Sequence, residues 1–357
     1  MTEPNKHGIL PGREYPQPGE EKIAADIVKM LQDQMSRMYP PLPGGKKQLR
    51  QVHAKMNGFV KAEFKVEADI SPELKVGLFK ESKTYPAWIR FSNGETHVFP
   101  DKKKDFRGFA IKVLNVPGKK LDANHPDIPV HDFILMNRKI FISGDIRKFK
   151  NILFVVTTPH TLRSIPRKIW IFLSNIPVLY RAAIGKIKNN NPGTRPYFST
   201  TPYRFGDESK AVKYAVYPSP DNPPLSPDKK SNDLLRVNLA ATLKEHQLLY
   251  DFKIQFQEDP VKMPIENPTV QWNSPFHKVA TIRIPIQDLD SGERDELGED
   301  VAFNPWHCLP EHQPLGSFNR VRKIIYEEMY GFRHRHNGIS DVQPVAGPDF
   351  FNDTKFI

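Results

Sequence analysis

The chain has 357 residues, 38% of them hydrophobic and 26% charged. That is enough for one large domain or two modest ones with a real core, and it excludes a disordered chain. A formal charge of +11 at pH 7 and a pI near 9.4 favour phosphates, acidic lipids or acidic cofactors as partners, while the single cysteine, Cys308, excludes an intrachain disulfide and a Cys-based zinc site.

The opening MTEPNKHGILPGREYPQPGEEK has no apolar stretch before a small-residue cleavage site. No secretory signal is expected, and the expected location is cytoplasmic. Residues 1–45 read as an arm followed by a helix, because Ile23, Ile27, Met30 and Leu31 share one face over Glu20–Tyr39. From Gln51 to about Ile140 the pattern is β. Val60, Ala62, Phe64 and Val66 alternate with Lys61, Glu63 and Lys65, predicting a half-buried strand. TYPAWIRFSNG, GFAIKVLNV and HDFILMN follow as further strands between Pro, Gly and Asp clusters.

Residues 146–195 read as a basic excursion of apolar helices joined at prolines. Arg147 to Lys188 carries nine Lys or Arg and no Asp or Glu. Prolines and charges interrupt every apolar run before the roughly 18 residues of a membrane span. Trp170 and Tyr180 among these charges suit a lipid–water boundary, so peripheral contact with an anionic membrane is one reading. The other packs the apolar faces on the rest of the protein. The β pattern resumes with AVKYAVYP, LLRVNLAATL, YDFKIQFQ and HKVATIRIPI, and the last helix is predicted over Phe318–Arg335. At least seven antiparallel-type strands with long helical excursions predict an α+β architecture: one domain over 1–357, an antiparallel β-barrel with flanking helices.

Three segments carry candidate chemistry. In FNRVRKIIYEEMYGFRHRHN, Arg322 and Tyr326 lie four apart and touch on one helix face. Arg333, seven residues on, continues that stripe about 10 Å further. A tyrosine binds iron only as phenolate, and a guanidinium one turn away favours the anion. Arg333 suits a bidentate pair with a carboxylate. The competing reading is a solvated helix with cation–π contacts. In RQVHAK, His53 sits where a loop enters a strand, and a neutral imidazole there suits proton transfer between peroxide oxygens; the alternative is a hydrogen-bonded structural histidine. In WIRFSNG, Trp88, Arg90 and Ser92 alternate onto one strand face. There Arg90 needs an anion and Ser92 suits a hydrogen bond to a His53 ring nitrogen.

Taken in order, RQVHAK, WIRFSNG, KDFRGFAIKVLN and VAFNPWHCLPEHQPLGSFNRVRKIIYEEMYGFRHR resemble the motifs of the catalase-related haem proteins, in the form lacking a C-terminal flavodoxin-like domain. The resemblance runs from about Arg50 to Arg335, with a poorly matching middle at 145–195. It implies haem b as cofactor and Tyr326 as the proximal iron ligand, with Arg322 against it on a proximal helix over 318–335. It implies His53 as the distal acid–base, supported by Ser92. It places Arg50, Arg90 and Arg333 at the haem propionates, Val52 beside the distal histidine, and Phe141 over the ring. The implied activity is that of a haem peroxidase or catalase-like oxidoreductase. It acts on hydrogen peroxide or an organic hydroperoxide with an electron donor that the sequence does not identify.

The chain also departs from the pattern. The distal asparagine that precedes a Phe-Phe-Ile-Arg-Asp strand in catalases has no ungapped counterpart; Asn124, before HDFILMN, stays unassigned. Disproportionation of hydrogen peroxide is therefore expected to be weak beside donor oxidation. Val52 stands where the related allene oxide synthases have threonine, which favours peroxide chemistry over fatty-acid hydroperoxide rearrangement. That rearrangement, and non-enzymatic haem binding, remain the alternatives. No nucleic-acid partner is expected, since no basic–aromatic module is present, and a homo-oligomer is left open.

Overall fold

The computed structural model describes residues 8–40, 46–188, 191–223, 230–289, 292–340, 344, 346–347 and 350–351. Parts of the N-terminal arm, 1–7 and 41–45, lie outside the described residues. Helix α1 spans Glu20–Met38 and buries Ile23, Ile27, Leu31 and Met35, the four-residue spacing of one helix face. Four antiparallel strands follow: β1 Met56–Val66, β2 Thr84–Asn93, β3 Arg107–Leu114 and β4 Val130–Met136. The basic excursion forms three helices, α2 Ile146–Thr157, α3 Ile165–Ser174 and α4 Ile176–Gly185. Pro166 and Pro177 open the last two, where a missing N–H costs nothing.

Strands β5 Tyr197–Phe198, β6 Tyr203–Phe205 and β7 Asp207–Pro218 come next, then helix α5 Leu234–Glu245, strands β8 Leu248–Phe256 and β9 Phe276–Ile284, and helices α6 Gly292–Asp300 and α7 Ser317–Asn337. Among the described residues the sheet order is β5-β4-β3-β2-β1-β9-β8-β7-β6, and β5 also pairs with β7. Eight strands thus close into an antiparallel barrel, with β6 added to β7 outside the ring. The chain is α+β, as expected. The barrel is filled by aromatic side chains such as Phe64, Phe133 and Phe252, whose ring centroids lie 4.7–5.9 Å apart. Phe79 and Tyr214 pack against them.

One expectation is corrected here. LLRVNLAATL is not a strand but most of α5. Both periods fit the sequence, because Leu235, Val237, Leu239, Ala241 and Leu243 alternate as cleanly as a strand would. The structure decides by burial: Leu235, Leu239 and Leu243 are buried while Val237 is 40% exposed. The helix lies close against β1 at Gly58, where an added Cβ would come within 2.8 Å of Leu239 Cδ2.

Helix α7 packs on α1 and α2 through Phe318 and Val321, with Ile23, Ile27 and Ile146. Its first turn is clamped by Arg320, which pairs with Glu20 at 2.7 Å and Glu266 at 3.0 Å and also meets Glu14 of the N-terminal arm. The functional stripe of α7 is thereby held against the outside of the barrel.

Candidate active site

Strand alternation places the site. On β2, Ile89 and Phe91 point into the barrel core, so Trp88, Arg90 and Ser92 face outward. Outside that wall lies a cavity of about 230 Å³ bounded by β2, β3, β4, α1, α7 and the segment 301–307. Arg50, Val52, His53, Arg90, Ser92, Tyr326 and Arg333 all line it. These residues are scattered across the chain, and the fold brings all seven together.

His53 adopts φ 58°, a left-handed conformation that non-glycine residues reach at a cost and that clusters at functional sites. Its surroundings hold it there. Its N–H donates to Gly94 O at 3.4 Å, its carbonyl accepts from Arg90 at 3.1 Å, and Nδ1 bonds Ser92 Oγ at 3.0 Å. Only glycine fits opposite: a Cβ at Gly108 would lie 2.6 Å from both His53 Nδ1 and Ser92 Oγ. Burial lowers the imidazole pKa to about 4, assisted by the positive charges of Arg90, Arg322 and Arg50. The ring is therefore neutral at pH 7 and able to accept a proton.

On α7, Arg322 donates to Tyr326 Oη at 3.0 Å and to Asn319 Oδ1 at 3.1 Å. Asn319 is itself fixed by bonds to the carbonyls of Pro202 and Leu315. Burial opposes the charge on Arg322, but the phenols of Tyr326 and Tyr203 outweigh it and raise the pKa. The Tyr326 oxygen thus sits beside a permanent cation, the surrounding a phenolate needs.

The third feature is a knot of guanidinium groups. Arg50 and Arg90 each reach the carboxylate of Glu299 at 3.0 Å, and Arg333 donates to the Glu299 carbonyl at 2.6 Å. Burial and mutual repulsion push Arg50 well below the usual arginine range and lower Arg333, with Glu299 opposing in both. Arg90 Nε is buried with no partner among the described residues. Three guanidinium groups, two of them buried, converge on Glu299 with the charge of Asp300 nearby, and the orphaned Arg90 donor leaves the knot able to take a further anion.

These observations test whether a haem suits the site. A phenol held by an arginine, a neutral imidazole on the same cavity, and an arginine knot able to take a further anion match an iron ligand, an acid–base and a partner for the propionates. Leu31, Met35, Ile134, Ile325 and Met329 supply apolar wall for a ring. The residues fit.

Two expectations change. Phe141 does not line the cavity; it packs with Phe149 and Phe318 in the cluster between α1, α2 and α7, 4.8 Å from the Phe318 ring. The segment after β4 turns toward these helices, and the phenylalanines that line the cavity are Phe109 and Phe303. Asn124, which the sequence could not align, does line it, together with Asp122, His125 and His307. Donor atoms of Asp122, His125 and His307 lie within 4.8 Å of one another. Both His307 nitrogens are already bonded, to Asp122 at 2.9 Å and Asp132 at 3.0 Å, and Asp132 holds Lys112 at 2.8 Å. The cluster is a closed chain of alternating charge that pins segment 304–308 to β3 and β4. Glu299 was not legible either, because it is one of five acids in GERDELGED with nothing to single it out.

Comparison with known proteins places these features. Residues 47–184 match the family model described as Catalase; the match takes in the basic excursion and stops short of α7. The fold is similar to a fungal catalase (TM-score 0.62, 17% identity, 84% of this chain and 63% of that one). It is similar to a bacterial catalase (TM-score 0.61, 17% identity, 84% and 61%). It is also similar to catalase A from Saccharomyces cerevisiae (TM-score 0.61, 17% identity, 87% and 70%). The chain spans 63% and 61% of the length of the first two.

Proposed function

We propose, from the match of residues 47–184 to the Catalase family model and the catalase-like fold, that the chain is a catalase-related, haem-dependent oxidoreductase that reduces hydrogen peroxide or an organic hydroperoxide. The observation that carries this reading is the gathering of His53, Tyr326 and the Arg50–Arg90–Arg333 knot around one cavity outside the barrel. Haem, when bound, supplies the iron chemistry of O–O cleavage and the oxidising equivalents passed to a donor.

The protein's own residues do the rest. Arg50, Arg90 and Arg333 bind the propionates and fix the ring's orientation, sharing Glu299 as internal counter-ion. Tyr326 would offer its side-chain oxygen to the iron, with Arg322 donating to that oxygen at 3.0 Å. In the tautomer in which His53 Nδ1 donates to Ser92 Oγ, 3.0 Å away, Nε2 is the basic atom. His53 takes the proton from one peroxide oxygen and returns it to the departing one. The apolar side chains of α1 and α7 on the cavity wall exclude water. Asn124, exposed at the rim, is poorly placed to hold a second peroxide, which favours donor oxidation over disproportionation.

An absorption spectrum of the haem-loaded protein before and after peroxide tests the reading. A ferric spectrum that changes with peroxide, returns with a phenolic donor and vanishes in Tyr326→Phe is expected, with little oxygen released. Haem binding without a peroxide-dependent change identifies a binding protein instead. An unaltered spectrum in Tyr326→Phe overturns the ligand assignment.

A further inference from the structure

A helix on the surface of a soluble protein turns its polar side outward. The α3–α4 hairpin does the reverse. On α3 the inward side chains are Lys168 and Ile171, and the opposite stripe is Ile169, Trp170 and Leu173, with Trp170 64% exposed. On α4, Ile176, Tyr180 and Ile184 repeat every four residues along the outward face. Leu162, in the turn before α3, is 90% exposed. Of the sixteen exposed large apolar residues described, ten lie between Val156 and Ile184. This is one continuous region and not the usual scatter of single side chains.

The charges of the segment itself have one sign, with Lys150 and Lys186 paired to Asp26 and Glu95 from outside it. Arg147, Lys148, Arg163, Arg167 and Lys188 are exposed, and the segment from Arg147 to Lys188 has no acidic residue. An apolar face ringed by cations is complementary to a surface that is apolar within and anionic outside. A second copy of the same face fits badly, since it would set these cations against one another. A nucleic acid would satisfy the cations and leave the apolar stripes in water. No described helix is long and apolar enough to cross a membrane, so the fitting geometry is one that lies in the lipid interface.

We propose that the α3–α4 hairpin docks this protein on an anionic lipid surface. Ile169, Trp170, Leu173, Ile176, Tyr180 and Ile184 enter the boundary between headgroups and acyl chains. Trp170 and Tyr180 sit at headgroup depth, where amphipathic rings are favoured, and the surrounding Lys and Arg meet the lipid phosphates. The haem site plays no part in this, so the docking stands or falls separately from the oxidoreductase reading.

Co-sedimentation with vesicles tests it, using phosphatidylcholine alone and phosphatidylcholine with phosphatidylglycerol. The full chain is expected to pellet with the anionic vesicles at low salt and to bind more weakly, though still measurably, at high salt. Trp170→Asp with Leu173→Asp should lower partitioning by roughly 100-fold. Its thermal midpoint should not move, because both side chains are exposed. Lys148→Glu with Arg163→Glu should remove the preference for anionic vesicles. Wild-type protein left in the supernatant at low salt overturns the proposal, as does a Trp170→Asp, Leu173→Asp variant that pellets like wild type. If that variant instead splits an oligomer in sedimentation equilibrium with no change in lipid binding, the face belongs to a second copy and the proposal falls.

Discussion

His53 joins two unusual properties in one residue, a left-handed backbone and a pKa near 4. Both come from its neighbours. The φ of 58° is sustained by Ser92, Arg90 and the bare Gly108, and the acid shift by burial beside three arginines. His53→Ala is therefore expected to load haem and to react with peroxide slower by about 100-fold or more, the scale of positioned acid–base catalysis. Stopped-flow mixing with peroxide measures this, and a wild-type rate would assign the proton transfer to another group. The same shift sets a pH profile. The ordinary histidine value is 6.5 and the folded value about 4, so the basic form persists as pH falls from 7 and is lost only near 4. The peroxide rate should stay level to about pH 5 and fall below it. Stability carries the matching sign: between pH 6.5 and 4 the unfolded chain binds a proton that the folded one refuses, so His53's contribution, full above 6.5, drains away across that window.

At the level of elements, the site depends on how α7 is seated. Tyr326 and Arg333 line the cavity only because Arg320, one face round the same helix, fastens the first turn of α7 to Glu20 of α1, Glu266 and the arm at Glu14. Burial opposes the charge on Arg320, but the bonds and charges of Glu20, Glu266 and Glu14 outweigh it and raise the arginine's pKa. Arg320→Leu leaves three partly buried acids without their cation. The expected loss is roughly 1–3 kcal/mol, above an exposed pair and below a fully buried one. Urea unfolding checks it, and haem should leave the variant faster because its ligand helix is less firmly docked. An unchanged urea midpoint would mean that the apolar contact of Phe318 with α1 seats the helix by itself. The α5 segment is the opposite case. There the local pattern supported two periods equally, and only the packing of Leu239 over Gly58 chose the helix.

Across the whole molecule, the barrel interior and the cavity share a wall, since Phe109 and Leu135 belong to the core and also line the cavity. Phe133 stands at the centre of the interior, with Phe252 at 4.7 Å, Tyr214 at 5.0 Å and Phe64 at 5.9 Å between ring centroids. Phe133→Ala opens a void that the closed ring of strands cannot collapse to fill, and should cost about 3–5 kcal/mol. Chemical denaturation measures that cost. At conditions where the variant is still folded, the haem spectrum should match wild type, because Phe133 itself does not line the cavity. A shifted spectrum in folded Phe133→Ala would show that core and site are coupled.

The long strands and five of the seven described helices were legible in the sequence because each buries one face, and a buried face writes its period into consecutive residues: Val60 to Val66, Ile23 to Leu31, the prolines opening α3 and α4; the short β5 and β6 and helix α6 were not read. The Arg322–Tyr326 pair was legible because its contact is local to one helix turn, while His53 and Ser92, which meet across 39 residues, were legible through the motifs that resemble the family. The rest is made of contacts between distant segments. Glu299 becomes the counter-ion of Arg50 and Arg90, Asn124 reaches the cavity, Phe141 packs against Phe318, and His307 joins Asp122 to Asp132, all by virtue of where the barrel closes. A side chain's partner across 175 to 249 residues leaves no period in the chain, so only tertiary structure could decide which carboxylate, which asparagine and which phenylalanine stand at the site.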